Sequence, residues 1–359
     1  MGYTETFLEE VRERHKADAA VLAEARWRRD AVTGRAQAYP GALRTFNSGS
    51  IAHETVNDPV VDADAGVVLD RRSYPALGPD GSGEGPTATV RSMADWVATG
   101  LSTRYPSLTV EVTKRAILVA FHEPMDVAGP AVPRQDPSVD LIVALTRVAG
   151  SGIWIPNTEE DDWDASDPER HTELFRQGDP ELRRNRRRAI RLSKLLHRQF
   201  GGEPAVSSFN QEAIGHAVVV DGMSIAEAFL AICERGASQL SAGLTPDPAG
   251  VSKPIKCPRR LLAAQRYAEA GRHLGQALAR DADEAYVRAE VQAVFYLLEP
   301  PSMASKSGFA AALRQGVPLG FGAAGLGLRP SGDGAPPQPA ARPVALKTTR
   351  AYGSAPPAP

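Results

Sequence analysis

The sequence predicts an α+β protein, with a mixed sheet and flanking helices in its first half and an all-helical lobe after it. Three observations lead there. Short, β-branched or alternating apolar runs occur between about residue 60 and residue 145. The segments around them have helical periodicity in the order α-β-α-β-β-β, which is not a repeating βαβ wind. From about Asp179 onward every apolar pattern has the helical period. The chain therefore divides into residues 1–178 as the sheet-containing lobe, 179–300 as the helical lobe, and 301–359 as a Gly/Ala/Pro-rich tail expected to lack fixed structure.

Taken in order, residues from about Thr4 to about Arg29 read as one helix, with Leu8, Val11, Ala19, Leu22 and Ala25 on one face. Pro40-Gly41 breaks the chain, and Phe46 to Ser50 reads as a turn-rich stretch. Val60 to Leu69 is β-branched and carries aspartate at alternate positions, as a strand would. Tyr74 to Thr87, with Pro75, Pro79, Pro86 and four glycines, is a loop. A helix from about Thr87 to Arg104 would bury Met93, Trp96, Val97 and Leu101. Leu108 to Val112 and Ala116 to Phe121 form a plausible hairpin, and Val139 to Leu145 is a third apolar strand. Helices are expected at 179–200, 208–220, 224–238, 258–280 and 283–299, the fourth opened by Pro258.

Composition narrows the classes of function. A net charge of -2 provides no global field toward nucleic acid or an anionic membrane, so any polyanion site must be local. Strong nucleic-acid binding is not expected. The stretch Phe309 to Leu328 is interrupted by Arg314 and Pro318 and is too glycine-rich to span a bilayer. Two cysteines, Cys233 and Cys257, make no disulfide framework and no CxxC, and the N-terminus has no basic segment leading into an apolar run. A cytoplasmic protein is expected.

Chemistry concentrates in Gly49-Ser50-Ile-Ala-His-Glu-Thr55, followed by Asp62-Ala63-Asp64. Alternate residues of a strand share a face, so Asp62 and Asp64 present two carboxylates side by side. Such a pair repels itself unless a cation intervenes. Mg²⁺, or Mn²⁺ in its place, takes hard oxygen ligands from one or two carboxylates and completes its shell with phosphates. The Gly49-Ser50 turn offers backbone N–H groups and a hydroxyl suited to a triphosphate. Asp140 opens the strand Val139 to Leu145. If that strand lies beside the first, three acids can hold two metals, one at an attacking ribose hydroxyl and one at the leaving pyrophosphate.

The order GS-x4-T, DxD and a third aspartate on a later strand resembles the polymerase β-like nucleotidyltransferase superfamily. More narrowly, it is similar to the bacterial cyclic-oligonucleotide synthases (CD-NTases) related to cyclic GMP-AMP synthase and oligoadenylate synthase. Gly152-Ile-Trp-Ile-Pro-Asn157 with Trp163, the basic helix Leu182 to Phe200, and a helical lobe ending near Phe295 resemble that branch as well. The likeness covers roughly residues 5–300, and only the GS and aspartate motifs in it are specific. Ala63 departs from it, standing where the family has a larger apolar residue. The terminal proline departs from relatives that end in a small residue used for conjugation.

The resemblance implies that Gly49 and Ser50 bind the donor triphosphate and that Asp62, Asp64 and Asp140 are catalytic and hold Mg²⁺ or Mn²⁺. Arg187, Arg191, Lys194 and Arg198 lie on one helix face, which is expected either to look into the cleft or to be merely solvated. Lys194 is the candidate γ-phosphate contact. Ser208 is a candidate phosphate hydroxyl beside Ser207, although helix capping explains either serine. Trp154, Asn157 and Trp163 are candidates for base stacking, with burial as structural anchors the stronger explanation. His53 reads as a spectator. The activity implied is synthesis of a cyclic di- or trinucleotide second messenger from nucleoside triphosphates, in antiphage (CBASS) signalling to a downstream effector. The alternatives are transfer to an RNA 3′ end or a protein, and a catalytically dead nucleotide-binding scaffold.

Overall fold

Two helices, not one, open the chain. The computed structural model describes residues 2–127, 134–201 and 204–298, so the tail expected over 301–359 lies outside the described residues. Helix α1 (Tyr3–Arg14) ends at His15, and α2 (Ala19–Gln37) starts afresh at Asp18. The Asp18 carboxylate accepts from the N–H groups of Ala20 and Val21 at 2.8 and 3.0 Å. An aspartate directly before an apolar run is the N-cap signal that a continuous-helix reading passes over.

Strand β1 (Ala42–Ser48), the one-turn helix α3 (Gly49–Ala52) and β2 (Asp62–Leu69) follow, then α4 (Thr87–Leu101), β3 (Thr109–Val112) and β4 (Ile117–Ala120). The two-residue strands β5 (Met125–Asp126) and β6 (Arg134–Gln135) pair with each other. Next come β7 (Ser138–Thr146), β8 (Ile153–Asn157), β9 (Asp162–Ser166) and α5 (Pro168–Arg176). The strand β1 occupies the stretch read as turn-rich. It is an edge strand, irregular between Ala42 and Arg44, and edges tolerate the polar residues that disguised it.

The main sheet runs β1-β2-β7-β4-β3, with β8 and β9 continuing from β7. Its centre is β2 paired parallel with β7, in a register that sets Asp64 opposite Asp140. Side chains alternate between the two faces. Ala63, Val67, Leu69, Val139, Leu141, Val143 and Leu145 share one core with Val21, Val32, Val90, Met93 and Val97 of α2 and α4. Val68, Ile142 and Ala144 join Phe46, Ile153 and Ile155 in a smaller cluster. The aspartates continue the even-numbered rows that form this second face. With both faces covered, β2 and β7 are apolar almost throughout, so each aspartate on them stands out.

Helices α6 (Pro180–Arg198), α7 (Ser208–Val218), α8 (Ile225–Ala242), α9 (Arg260–Ala279) and α10 (Glu284–Val294) complete the described chain, with no strand after Ser166 among the described residues. They share a core of Leu192, Leu195, Ile214, Phe229, Ile232, Tyr267 and Val291, which also takes in Phe7, Leu8 and Val11 of α1 and Phe175 of α5. Thus α1, although N-terminal, packs with the helices, and its Glu5 carboxylate accepts from the first N–H groups of α8 at 3.1 and 3.0 Å. No helix among the described residues is long and apolar enough to cross a membrane.

Candidate active site

Strand β1 delivers the chain to Gly49 directly opposite the aspartates. Ser48 pairs with Asp64, which pairs with Asp140, so the three form one row across β1, β2 and β7. Gly49 has φ +70°, and a Cβ there would stand 1.7 Å from Asp64 Oδ2. Both the backbone conformation and the close approach require glycine. The turn closes through His53 N–H to Gly49 O at 3.0 Å and Thr55 N–H to Ser50 O at 2.9 Å.

A cleft of about 480 Å³, open to solvent, lies over this turn. Ser48, Gly49, Ser50, Asp62 and Asp64 line one wall; Pro168, His171, Ser208, Phe209 and Glu212 line the other. The structure therefore brings five of the residues singled out by sequence, Gly49, Ser50, Asp62, Asp64 and Ser208, to one cavity. Asp140, buried beside Asp64, belongs to the row but not to the cavity wall. Ser207 caps α7 by accepting from Asn210 N–H at 3.2 Å, which leaves Ser208 as the serine at the cleft.

Burial, then the charges of Asp62, Asp140 and Glu212, push the Asp64 carboxyl well above the ordinary carboxylate range, with the Lys194 ammonium acting the other way. A buried carboxylate among carboxylates asks for a cation. Oxygen donors of this kind suit Mg²⁺ or Mn²⁺, so the donor set fits such an ion. Among the described residues, no three acidic, histidine or cysteine side chains are already drawn together closely enough to hold a metal ion.

The basic face of α6 does not look into the cleft. It meets the segment between the glycine turn and β2. Arg187 pairs with Glu54, and Lys194 donates to Thr55 Oγ1 at 2.8 Å. Arg191 Nε donates to Asn57 Oδ1 at 3.0 Å, and Arg198 donates to Asp58 O. Four side chains at helical spacing thus bind Glu54, Asn57, Thr55 and Asp58 of this segment. Lys194 also donates to Glu212 Oε1 at 2.7 Å and is not part of the cavity wall.

Glu212 is the residue that sequence reasoning missed, and His53 the one it underrated. His53 Nδ1 donates to Glu212 Oε2 at 2.9 Å, its Nε2 meets Thr172 Oγ1 at 3.1 Å, and its ring stacks on Phe175. A glutamate within Asn-Gln-Glu-Ala on a helix with no clear apolar stripe carries no mark of burial, so only the fold identifies it. Trp154, Asn157 and Trp163 are structural anchors away from the cleft. Trp154 Nε1 donates to Asp80 at 2.8 Å, Trp163 Nε1 to Glu84 O at 3.0 Å, and Asn157 Nδ2 to Glu160 at 2.9 Å. Trp154 sits opposite Leu145, at the far end of β7 from Asp140.

No protein-family model and no curated protein sequence matches the chain. Solved structures do. The chain resembles E. coli MS115-1 CdnC, solved with ATP, at a TM-score of 0.56 and 15% identity over 82% of this chain and 98% of that one. It resembles the Bradyrhizobium diazoefficiens CD-NTase CdnG, in complex with GTP, at 0.56 and 13%, over 81% and 98%. For Vibrio cholerae DncV cyclic AMP-GMP synthase, in complex with the linear intermediate 5′ pppA(3′,5′)pG, the values are 0.52 and 15%, over 70% and 68%. The α+β fold is thus that of the polymerase β-like nucleotidyltransferases. Within that class, it is the fold of the CD-NTases.

Proposed function

We propose that the chain is a metal-dependent nucleotidyltransferase that makes a cyclic di- or trinucleotide from nucleoside triphosphates, releasing pyrophosphate with each bond. The observation that carries this reading is the in-register row of Asp64 and Asp140, with Asp62 on the same face and a glycine turn closed directly over Asp64. The complexes of CdnC with ATP, of CdnG with GTP and of DncV with a linear dinucleotide support nucleoside triphosphates as substrates here.

In this reading the N–H groups of the turn and the Ser50 hydroxyl bind the donor triphosphate, and Ser208 reaches it from the opposite wall. Asp62, Asp64 and Asp140 would hold Mg²⁺ or Mn²⁺, which neutralises phosphate charge and makes the attacking ribose hydroxyl more acidic. A ribose oxygen bonds to the α-phosphorus as the bond to the β-phosphate breaks. Both reacting groups are held in one cleft, so the main contributions are positioning and charge stabilisation. Lys194, committed to Thr55 and Glu212, contributes its charge from behind the turn, and its expected γ-phosphate contact gives way to that role. On the resemblance, the product would be a cytoplasmic antiphage (CBASS) signal read by a separate effector.

Asp62→Asn and Asp64→Asn should each lower pyrophosphate release by at least about a thousandfold, the scale of losing an electrostatic group at the reacting phosphate, with the circular dichroism spectrum unchanged. Full turnover in either variant contradicts the reading. Labelling of added RNA or protein in place of a small product would favour the other acceptors.

A further inference from the structure

We propose that Glu212 is a positioning residue for the donor triphosphate, fixing the Gly49–Ser50 turn against the helical lobe; this rests on the nucleotidyltransferase reading. The puzzle is its charge. A site meant for a polyanion already carries Asp62 and Asp64, yet α7 adds a third carboxylate to the same cavity, 3% exposed. Its oxygens are not left open to the cavity: three of the carboxylate's roughly four lone-pair sites are already taken by protein donors. Oε1 accepts from Thr55 Oγ1 at 2.5 Å and from Lys194 Nζ at 2.7 Å, and Oε2 accepts from His53 at 2.9 Å. Burial alone would raise this carboxyl. The charges of Lys194 and His53 and their hydrogen bonds outweigh burial and hold it below the ordinary range, so Glu212 stays ionised and engaged.

What Glu212 holds is informative. His53 and Thr55 are the closing residues of the glycine turn, bonded through their own N–H groups to Gly49 and Ser50. Lys194 comes from α6, and Glu212 itself stands four residues after Ser208 on α7. Beyond His53, Thr172 accepts or donates at the imidazole and bonds Pro168 O at 3.1 Å, which extends the link to α5. One carboxylate therefore joins the turn on the sheet wall to α5 and α7 on the opposite side and to α6 behind the turn. The turn's N–H groups and the Ser208 hydroxyl can meet a single triphosphate only if the two walls keep a fixed distance, and this junction sets it. A displacement of about an ångström at such contacts is enough to lose catalysis.

The test uses the full chain and titration calorimetry with a non-hydrolysable α,β-methylene nucleoside triphosphate and Mg²⁺, alongside KM and kcat for pyrophosphate release. Glu212→Gln removes the charge, Thr55→Val one hydroxyl, and Thr55→Ser keeps that hydroxyl. Thr55→Val should weaken binding and raise KM by about tenfold or more, the size of one hydrogen bond to a charged group, with a smaller change in kcat. Thr55→Ser should restore the loss. Glu212→Gln should do the same as Thr55→Val, and Thr55→Val decides the matter if the glutamine variant does not fold. A merely structural role would lower the melting temperature in Thr55→Val while affinity and KM stay at wild-type values, and that outcome overturns the proposal. Wild-type chain that binds none of the four analogues overturns the nucleotidyltransferase reading, and this inference with it.

Discussion

Asp64 is held 5% exposed between two like charges, and the chain bears that cost in the folded state. Its carboxyl is raised, so the native protein binds a proton more tightly than the unfolded chain does. Stability of the metal-free protein therefore falls as pH rises from the ordinary carboxylate range through the raised value. Asp64→Asn should accordingly melt higher than wild type at neutral pH without divalent cations, and it should lose most of the increase that Mn²⁺ gives wild type. Thermal melts with and without the ion check this, and a lower melting point for the metal-free variant contradicts it. Ser48 invites a similar test. The residue is 2% exposed and lines the cleft beside Asp64, and its buried hydroxyl meets no hydrogen-bond partner among the described residues. Leaving a buried hydroxyl unsatisfied costs about 1–3 kcal/mol. Ser48→Ala should leave the melting point unchanged or raised while weakening triphosphate binding several-fold in calorimetry; a drop in stability with unchanged binding would mark Ser48 as structural.

Helix α6 carries the account at the scale of elements. One face binds residues 54–58, and the other enters the helical core through Ala189, Leu192, Leu195 and Leu196. His197 lies in that core, 2% exposed, against Tyr267, with neither ring nitrogen hydrogen-bonded among the described residues. Burial, helped by the Arg266 charge, pushes its imidazole down to about 3. The folded value is depressed, so the associated stability is fully present above about pH 6.5 and is lost as pH falls toward about 3, by about 1.4 kcal/mol per unit at most. His197→Leu should be neutral or stabilising at pH 7 and should flatten the fall in melting temperature between pH 6 and pH 4. Equal acid slopes in the two proteins contradict this. The helix itself was legible in sequence because its apolar and basic stripes differ so sharply, and β2 and β7 were legible because their apolar runs are interrupted by little besides aspartate. What its basic stripe faced was not legible, because a stripe gives direction around a helix axis and no partner. Strand β1 and the α1/α2 break were hidden by local chemistry, polar edge residues in one case and an unrecognised aspartate cap in the other. Glu212 was hidden because its burial is created by elements far apart in the chain: the glycine turn, α5 and α6.

Across the whole molecule, the cleft lies between the glycine turn with β2 on one side and residues of α5 and α7 on the other. Gly49, Ser50, Asp62 and Asp64 stand out in the sequence because they lie close together in one stretch of chain, whereas Asp140 joins them only through the pairing of its strand with β2, which the sequence could state only as a condition. The central claim is that this cleft joins nucleotides and closes the product into a ring. The most direct measurement incubates the purified chain with all four labelled ribonucleoside triphosphates and Mg²⁺ or Mn²⁺, treats the mixture with phosphatase and separates the products. The account predicts a small phosphatase-resistant product that is absent with Asp64→Asn and vanishes when a required triphosphate is omitted. A chain that binds triphosphate and metal yet yields only nucleosides and free phosphate under every combination would contradict it.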